Sequence, residues 1–471
     1  MYGSADVFAS LVNFALLPVY TRYLGPSDYG DYALLLLFGA MAKIAFRLGL
    51  DAGFFRIHYD LEDEGERRRL AGTVAVFTAL AGGVILALVA ALAAPLTRAL
   101  LGPRAPTFWV VLVAADVYLG SFAFVPASLL RIQDRPGLFA SLSALRHAVN
   151  TALKVALLMR GYGVSGVVWS DALATGAYAL LLLPVALRHT TWAFSPRLLR
   201  EALGFGLPKV PHGILVQIQN VADRKILDLF VSRADVGIYS MGYTFGTVVK
   251  FPLSAFEPAW QPFVYARIKE PDAPATLARV GRFAFAAFVF VGLAVAVLGR
   301  ELLALMTTNP AFEAAAPVIP VVALAYVLHG AFLLTSVGIG IRKEARYYPM
   351  VTAAAAATNV AANLALIPRF GMLGAAWATV LSYAVMAGVG FSLSQRLYPL
   401  PLEWSRLGRL VVAAGAVYAA SVFAPASLWP ALAVKALLLL AFPLVLVPLG
   451  FLGDSEWERA IVKRFQPRRT T

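Results

Sequence analysis

The sequence has no cysteine, and it has few charged residues for its length. The absence of cysteine excludes disulfide bonds and thiolate metal sites. Charged residues make up 14% of the 471-residue chain and apolar residues 60%, whereas soluble domains are about one quarter charged and about half apolar. The mean hydropathy of +0.74 and apolar runs of about 20 residues predict an all-α integral membrane protein.

Several kinds of chemistry also lack their sequence signals. The five histidines show no metal-ligand spacing, and there is no glycine-rich phosphate loop. We therefore expect no metal, no cofactor and no hydrolysis of ATP. The longest loop predicted on the outer side, residues 95–107, contains no acid or histidine. A glycan polymerase or ligase is therefore disfavoured, and we expect a protein that is not an enzyme.

Acidic residues are outnumbered, with 26 Asp and Glu against 40 Lys and Arg, for a net charge of +14. No soluble basic region is available to bind nucleic acid. The excess is explained either by cytoplasmic loops, which are normally rich in Lys and Arg, or by an anionic ligand. The positions of the basic residues decide how much each explanation contributes.

Fourteen membrane spans are predicted from the apolar runs. The loops on one side, with the C-terminus, hold 24 Lys and Arg, and the opposite loops and helix ends hold 7. This asymmetry predicts that both termini lie in the cytoplasm. The predicted spans 1 to 14 are 5–24, 30–52, 71–95, 108–130, 137–159, 164–187, 206–231, 237–260, 278–299, 314–339, 346–367, 373–396, 407–424 and 428–452.

The chain repeats itself at an offset of 207 to 208 residues. Residues 24–32 are echoed by 231–239, which keep one Asp, one Gly and one Tyr. Residues 160–169 are echoed by 368–377, which keep two glycines and a tryptophan. Six spans separate the echoes, so the repeats are predicted to be parallel, as in many transporters.

The repeat predicts the domain organisation. Two six-helix lobes are joined by a cytoplasmic linker with a basic amphipathic helix, which we expect to rest on lipid headgroups. Ser195-Pro196 is expected to start that helix. The predicted divisions are 1–187 for the N-lobe, 188–205 for the linker, 206–397 for the C-lobe, 398–452 for spans 13 and 14, and 453–471 for a basic cytoplasmic tail.

Several predicted spans carry charged residues, which are costly in a bilayer unless they face water or a partner. Lys43 and Lys250 lie 207 residues apart, the offset of the repeat, and are therefore predicted to line a shared cavity from equivalent places. A cationic wall favours an anion, and guanidinium groups match phosphate oxygens in particular. The candidate cavity cations are Lys43, Arg47, Arg146, Lys154, Arg224 and Lys250.

A structural role is the alternative for each of these residues. Arg22 and Arg224 lie near span ends, where they can snorkel to the interface. Arg47 and Asp51, four residues apart on one helical face, can form a neutralising pair. The acids that could couple transport to a proton or a sodium ion are Asp51, Asp171, Asp223 and Glu257.

Four segments, residues 21–30, 204–211, 259–263 and 341–379, resemble the polysaccharide and oligosaccharidyl-lipid flippases of the Wzx type. These belong to the superfamily shared with the multidrug and toxin (MATE-like) exporters. The order and spacing of the segments carry the resemblance along nearly the whole chain.

The resemblance implies a V-shaped transporter of two lobes that opens alternately to each side. The implied substrate is an undecaprenyl-diphosphate-linked oligosaccharide, such as the repeat unit of an O-antigen, which is bound among membrane lipids. In related peptidoglycan-precursor flippases, arginines near the outer end of helix 1 and in helices 2 and 8 face the cavity. The matching residues here are Arg22, Arg47 and Lys250.

The same resemblance implies that spans 13 and 14 form a groove for the lipid tail. A polysaccharide polymerase and glycosyltransferases that act on the same lipid-linked substrate are candidate partners. The alternative function on this fold is a multidrug or toxin cation exporter, which would need acids rather than lysines in its cavity.

Overall fold

The computed structural model describes residues 14–132 and 136–451, and the regular elements in these ranges are helices. The predicted all-α class is therefore confirmed. The α-helices are α1 Leu17–Tyr23, α2 Pro26–Arg47, α3 Leu50–Asp60, α4 Glu64–Ala91, α5 Ala93–Leu101, α6 Phe108–Ile132, α7 Pro136–Met159, α8 Gly163–His189, α9 Pro196–Gly206, α10 Val210–Asp228, α11 Arg233–Gly246, α12 Lys250–Arg267, α13 Ala273–Met306, α14 Val318–Thr335, α15 Val337–Ile341, α16 Tyr347–Leu397, α17 Trp404–Val422 and α18 Leu428–Leu446.

Among the described residues, eight helical stretches are long and apolar enough to cross a membrane. Helix α4 shows why: Leu80, Val84 and Leu88 recur every four residues and are exposed by 68%, 61% and 56%, so they form an apolar stripe that suits lipid. The chain is a multi-pass membrane protein. The eight stretches are Pro26–Asp60, Glu64–Ala91, Phe108–Ile132, Gly163–His189, Ala273–Met306, Val318–Ile341, Tyr347–Leu397 and Leu428–Leu446.

The remaining predicted spans are also helical where they are described, but these helices are shorter or more polar than the eight stretches above. Residues 5–13 of predicted span 1 and the whole of the predicted tail, 453–471, lie outside the described residues. The long helix α16 contains predicted spans 11 and 12 and is interrupted at Gly371, whose φ of 53° and ψ of −129° are not helical. It is therefore two helices, as the sequence predicts.

Predicted span 2 differs from the structure, because it is not one continuous helix. Helix α2 ends at Arg47, and Leu48 and Gly49 adopt positive φ values of 48° and 74°. The cause is a close approach from the linker, since a Cβ on Gly49 would lie 2.2 Å from the carbonyl oxygen of Gly206. The chain turns here and begins α3 at Leu50.

The predicted linker helix forms, and part of its apolar face packs within the protein. Ser195 caps α9 by accepting a hydrogen bond from the amide of Leu198, at 3.4 Å. Leu198 and Ala202 are fully buried in a cluster with Phe54, Leu70 and neighbouring apolar residues. Helices α3 and α4 supply the apolar surface for these two residues, and contact of the helix with lipid headgroups stays a prediction.

The first sequence echo corresponds to a shared helix cap. The amide of Gly25 donates to Asp28 Oδ2 at 3.0 Å, and the amide of Ser232 donates to Asp235 Oδ2 at 3.2 Å. Each carboxylate satisfies an amide at the start of its helix, α2 or α11, that has no intrahelical partner. Both donor and acceptor recur at the offset of 207.

The glycines of this echo permit close backbone contact. A Cβ on Gly30 would lie 2.2 Å from the carbonyl oxygen of Arg233, and one on Gly237 would lie 1.9 Å from that of Pro26. The two echoed segments therefore pack against each other, backbone to backbone. In the second echo, Gly163 and Gly371 share nearly the same φ, 52° and 53°, in a region that disfavours other residues.

The chain divides into two compact units. One unit comprises Met1–Ser240, Met306–Ala311 and Asn359–Ala375, and the other comprises Met241–Leu305, Phe312–Thr358 and Ala376–Thr471. We call them the first and the second unit. The lobe boundaries read from the sequence are a separate division, and they stay a prediction.

We predict that Gly237→Ala lowers the stability of the protein by about 2 kcal/mol, because the added Cβ overlaps a backbone oxygen that cannot move aside freely. The measurement is the thermal unfolding midpoint of purified protein in detergent. The control is Gly415→Ala in α17, where a Cβ meets nothing within 4 Å. Equal midpoints for the two variants would contradict the close contact.

Candidate functional site

A cavity of about 420 Å³ lies within the first unit. Helix α2 contributes one wall, and it packs against α6 and α10. Small residues on the facing helices, Gly39, Ala40 and Gly120, leave the space open. The lining residues are Tyr32, Leu35, Leu36, Gly39, Ala40, Lys43, Arg47, Val113, Asp116, Val117, Gly120, Arg146, Val168, Asp171 and Gln217.

Three of the cations that the sequence singles out line this cavity. Lys43 and Arg47 lie one turn apart on α2, and Arg146 comes from α7. Arg146 Nη2 donates to Thr175 Oγ1 at 2.9 Å, and its guanidinium lies 5.3 Å from the centre of the Tyr178 ring. Because both contacts are with neutral groups, they orient the guanidinium without neutralising it.

Arg47 is more constrained than Arg146. Its Nη1 lies 3.5 Å from Asp51 Oδ2, and its guanidinium lies 5.3 Å from the centre of the Phe124 ring. The predicted pair with Asp51 therefore forms, although the backbone between the two residues is not a continuous helix. Arg47 is thus both a cavity residue and a partner in a structural ion pair.

Two carboxylates line the same cavity, Asp116 and Asp171. Asp171 Oδ1 lies 2.8 Å from Lys154 Nζ and accepts a hydrogen bond of 2.8 Å from Asn150 Nδ2. Lys154 is buried, with 6% of its side chain exposed, so it lies behind Asp171 and offsets its charge.

Arg224 and Asp223 do not line this cavity. Arg224 Nη1 lies 2.7 Å from Asp223 Oδ1, and Tyr239 donates a hydrogen bond to the other carboxylate oxygen. Asp223 is 1% exposed. Arg224 and Asp223 therefore form an ion pair with each other. Their roles in substrate binding and ion coupling stay predictions.

The other predicted site residues lie apart from the cavity. Arg22 is exposed, with its guanidinium 6.0 Å from the centre of the Tyr23 ring. Lys250 belongs to the second unit, where its Nζ lies 5.3 Å from the centre of the Tyr326 ring. Glu257 is exposed on α12 of that unit. Their assignment to a binding site stays a prediction.

The sequence did not single out Tyr32, Asp116 and Gln217 as site residues. Asp116 and Gln217 carry a usable signal, since each is a polar residue within a predicted span. Tyr32 could also have been noticed from the sequence, because it is one of the residues that recur in the repeat. The sequence does not show that α2, α6 and α10 place these three side chains around one cavity.

A partly buried ion-pair network lies elsewhere in the first unit, at the start of α11. Arg233 Nη2 lies 3.2 Å from Asp228 Oδ1 and donates to the carbonyl of Leu101 at 2.9 Å, while its Nε lies 3.5 Å from Asp31 Oδ1. Lys225 Nζ lies 2.9 Å from Asp228 Oδ2. These contacts join α2, α5, α10 and α11, so they hold helices together.

The second unit contains an apolar groove of about 590 Å³. Its walls come from α13, α14, α16 and α17, and they are formed by side chains such as Phe285, Leu334 and Phe391. One end of the groove is polar, where Glu403 lies 2.6 Å from Arg282 Nη1. The groove therefore combines an apolar interior with a charged mouth.

In the part of the chain that the structure describes, no group of three or more acidic or histidine side chains is arranged to hold a metal ion.

Comparison with known proteins agrees with the fold. A family model described as "Polysaccharide biosynthesis protein" matches residues 1–263. A protein of the Lsg locus of Haemophilus influenzae is 23% identical over 289 residues, which cover 57% of this chain and 66% of that protein.

Two groups of solved structures share the fold. The lipid II flippase MurJ, in an inward closed conformation, matches with a TM-score of 0.78 and 11% identity over 97% of this chain and 98% of its own. An inward-facing multidrug resistance transporter of the MATE family matches with a TM-score of 0.66 and 16% identity over 86% of this chain and 96% of its own. The chain belongs to the polysaccharide biosynthesis protein family, as its resemblance to the Wzx-type flippases predicts.

Proposed function

We propose that the protein is a flippase that moves an undecaprenyl-diphosphate-linked oligosaccharide across the bacterial cytoplasmic membrane by alternating access. The observation that carries this proposal is the cationic cavity of the first unit, lined by Lys43, Arg47 and Arg146. No covalent step is proposed, and both termini are expected in the cytoplasm. A polymerase and glycosyltransferases remain proposed partners.

The chemistry of the cavity suits a diphosphate. Guanidinium groups bind phosphate oxygens through two parallel hydrogen bonds, and such charge-assisted bonds are stronger than neutral ones. Arg146 is held by neutral partners, so its charge is available for a ligand. The cavity volume of about 420 Å³ lies in the usual range for sites that enclose a small polar group.

The membrane potential favours export of an anion. Two negative charges that move outward across ~100 mV gain roughly 4.6 kcal/mol. Coupling to a proton or a sodium ion through Asp51, Asp171, Asp223 or Glu257 is a further part of the proposal. Since Asp51 and Asp171 are paired with Arg47 and Lys154, coupling through either acid would require its ion pair to open.

The lipid tail has a candidate site in the second unit. From Trp404 to Val411, the groove follows α17 over eight residues, a rise of about 10 Å along the helix. Its apolar walls suit the first isoprene units of a polyprenyl chain. The family resemblance assigns the tail to predicted spans 13 and 14; residues of span 13 line this groove, and the lining residues include none of span 14.

The alternative is a multidrug cation exporter, which the structural likeness to the MATE transporter favours. A cationic drug would be attracted by Asp116 and Asp171 but repelled by the three cations on the same cavity wall. Because Lys154 already offsets Asp171, the anionic substrate fits the cavity better. Survival of a drug-sensitive strain that expresses the protein distinguishes the two functions.

We expect Arg146→Gln to reduce transport of the lipid-linked oligosaccharide into reconstituted vesicles at least tenfold, because a neutral amide cannot replace a charge-assisted phosphate contact. The control is Arg160→Gln, an exposed arginine just beyond the same helix that does not line the cavity. Wild-type transport by Arg146→Gln at equal protein content would remove the cavity from the mechanism.

The repeat-related lysines allow a second test in the same assay. If Lys43 and Lys250 both contact the substrate, the double variant Lys43→Gln/Lys250→Gln should lose more transport than either single variant. The single variants serve as controls for protein folding and insertion. If transport by the double variant is unchanged, neither lysine belongs to the site.

The proposed binding of the lipid tail can be tested by a substitution that places a larger side chain in the groove. Gly408 lines the groove, and a Cβ there meets nothing within 4 Å, so Gly408→Leu should be accommodated while occupying the space of the tail. We expect transport of a C55 substrate to fall more than that of a C20 analogue. Gly415→Leu, two turns along the same helix, should affect both substrates equally. If the ratio of C55 transport to C20 transport is the same for Gly408→Leu and Gly415→Leu, the lipid tail does not occupy the groove.

A further inference from the structure

Helix α9 of the linker lies against the break that follows Arg47. A Cβ on Gly49 would lie 2.2 Å from the carbonyl oxygen of Gly206, and a Cβ on Gly206 would lie 2.2 Å from that of Gly49. One turn further along both segments, a Cβ on Gly53 would lie 2.1 Å from the carbonyl oxygen of Ala202. The backbone at the start of α3 therefore touches that of α9 at two successive turns, an approach that glycine permits.

Apolar packing and a hydrogen bond hold the rest of the linker in the same place. Leu198 of α9 is fully buried in a cluster that also contains Phe54 of α3 and Phe124 of α6. Just before α9, the amide of Ser195 donates to Thr73 Oγ1 at 3.0 Å. The linker is therefore attached to the helices of the first unit along its length and is not a free connection.

The turn at the break has a conformation that its own residues do not favour. Leu48 and Gly49 have φ values of 48° and 74°, and a leucine keeps a positive φ only where the surrounding structure enforces it. The helix restarts at once, since the amides of Ala52 and Gly53 both donate to the carbonyl of Gly49, at 3.1 and 3.2 Å. The backbone of Gly206 lies directly against this turn, so it is suited to enforce it.

The contacts that orient the Arg47 side chain depend on the same surface. Arg47 Nη1 lies 3.5 Å from Asp51 Oδ2, which follows the break. The guanidinium also lies 5.3 Å from the centre of the Phe124 ring, and that ring packs edge-on against Phe54, with ring centres 5.9 Å apart. Because Phe54 packs in one cluster with Leu198 of α9, both contacts of Arg47 involve groups whose position α9 helps to fix.

We propose that α9 positions Arg47 for the substrate, with Gly206 as the positioning residue. When α9 is docked, it fixes the turn at Leu48 and Gly49 and the place of Phe54, and these set the direction of the guanidinium at the cavity wall. The proposal rests on the proposed function in that Arg47, which lines the cavity, is taken to bind the diphosphate. A guanidinium binds phosphate through two parallel hydrogen bonds, so a small change in its direction weakens the contact.

The first experiment measures hydrogen exchange by mass spectrometry on the purified full chain in nanodiscs, without substrate. Gly206→Ala places a methyl group against the carbonyl of Gly49, and we expect exchange of the amides in residues 47–54 to rise about tenfold. Leu198→Ala removes packing without adding a clash, and it should act in the same direction. The matched control is Gly204→Ala on the same helix, where a Cβ meets nothing within 4 Å.

The second experiment measures the KM and kcat of oligosaccharide transport in reconstituted vesicles. We expect Arg47→Gln to raise KM about tenfold, the size of one lost hydrogen bond to a charged group. Gly206→Ala should also raise KM, with kcat little changed. If Gly206 acts through Arg47, then Gly206→Ala should raise KM no further in the Arg47→Gln background. Leu198→Ala carries both measurements if Gly206→Ala does not fold.

A merely structural role predicts different results. Gly237→Ala introduces a similar backbone clash elsewhere in the first unit, and it should change neither KM nor exchange in residues 47–54 specifically. The proposal is overturned if Gly237→Ala or Gly204→Ala has the same effects as Gly206→Ala, since a general loss of stability would then explain them. It is also overturned if the KM effects of Gly206→Ala and Arg47→Gln multiply.

The positioning role and the proposed function can fail separately, because hydrogen exchange needs no substrate. Unchanged exchange in residues 47–54 for both Gly206→Ala and Leu198→Ala would show that α9 does not hold the break, whatever the protein transports. If exchange rises as expected but the wild type moves no oligosaccharide, the proposed function is rejected while the hold of α9 on the break stands.

Discussion

Ionic side chains inside membrane-spanning helices need a partner or water, and this requirement sorts the charges of the protein into two groups. Lys154 pairs with Asp171, and Lys435 pairs with Glu301 at 2.6 Å, with both members of the latter pair nearly buried. Removing one member of such a pair leaves a buried charge uncompensated, which costs several kcal/mol. These pairs therefore maintain the packing of helices, whereas Arg146 contacts a neutral hydroxyl and an aromatic ring.

The sequence predicts which residues are ionic within the spans, but it reveals only those pairs that lie close in the chain, such as Arg47 and Asp51. The partner of Lys154 lies on the next helix, and Asp31, a partner of Arg233, lies about two hundred positions earlier in the chain. Periodicity along one helix cannot reveal such contacts. For the same reason the sequence does not show which residues of α2 and α7 line one cavity.

The fold follows from the sequence more completely than the site does. Hydropathy predicts the all-α class, and the repeat predicts equivalent features that the structure shows in detail, such as the caps made by Asp28 and Asp235. The break after Arg47 was missed because its cause is not local. It depends on Gly49 lying against the backbone of Gly206, which is far away in sequence, and a continuous apolar run gives no sign of that contact.

The two units offer different chemistry, and the difference constrains the ligand. The first has a cavity lined by cations and polar groups, and the second has an apolar groove with an ion pair at its mouth. Burial of each methylene group in the groove would contribute about 0.8 kcal/mol, whereas guanidinium groups at the cavity suit oxyanions such as phosphate. The two surfaces therefore favour ligand groups of different chemistry, one hydrocarbon and one anionic, and the substrate proposed above carries both kinds of group.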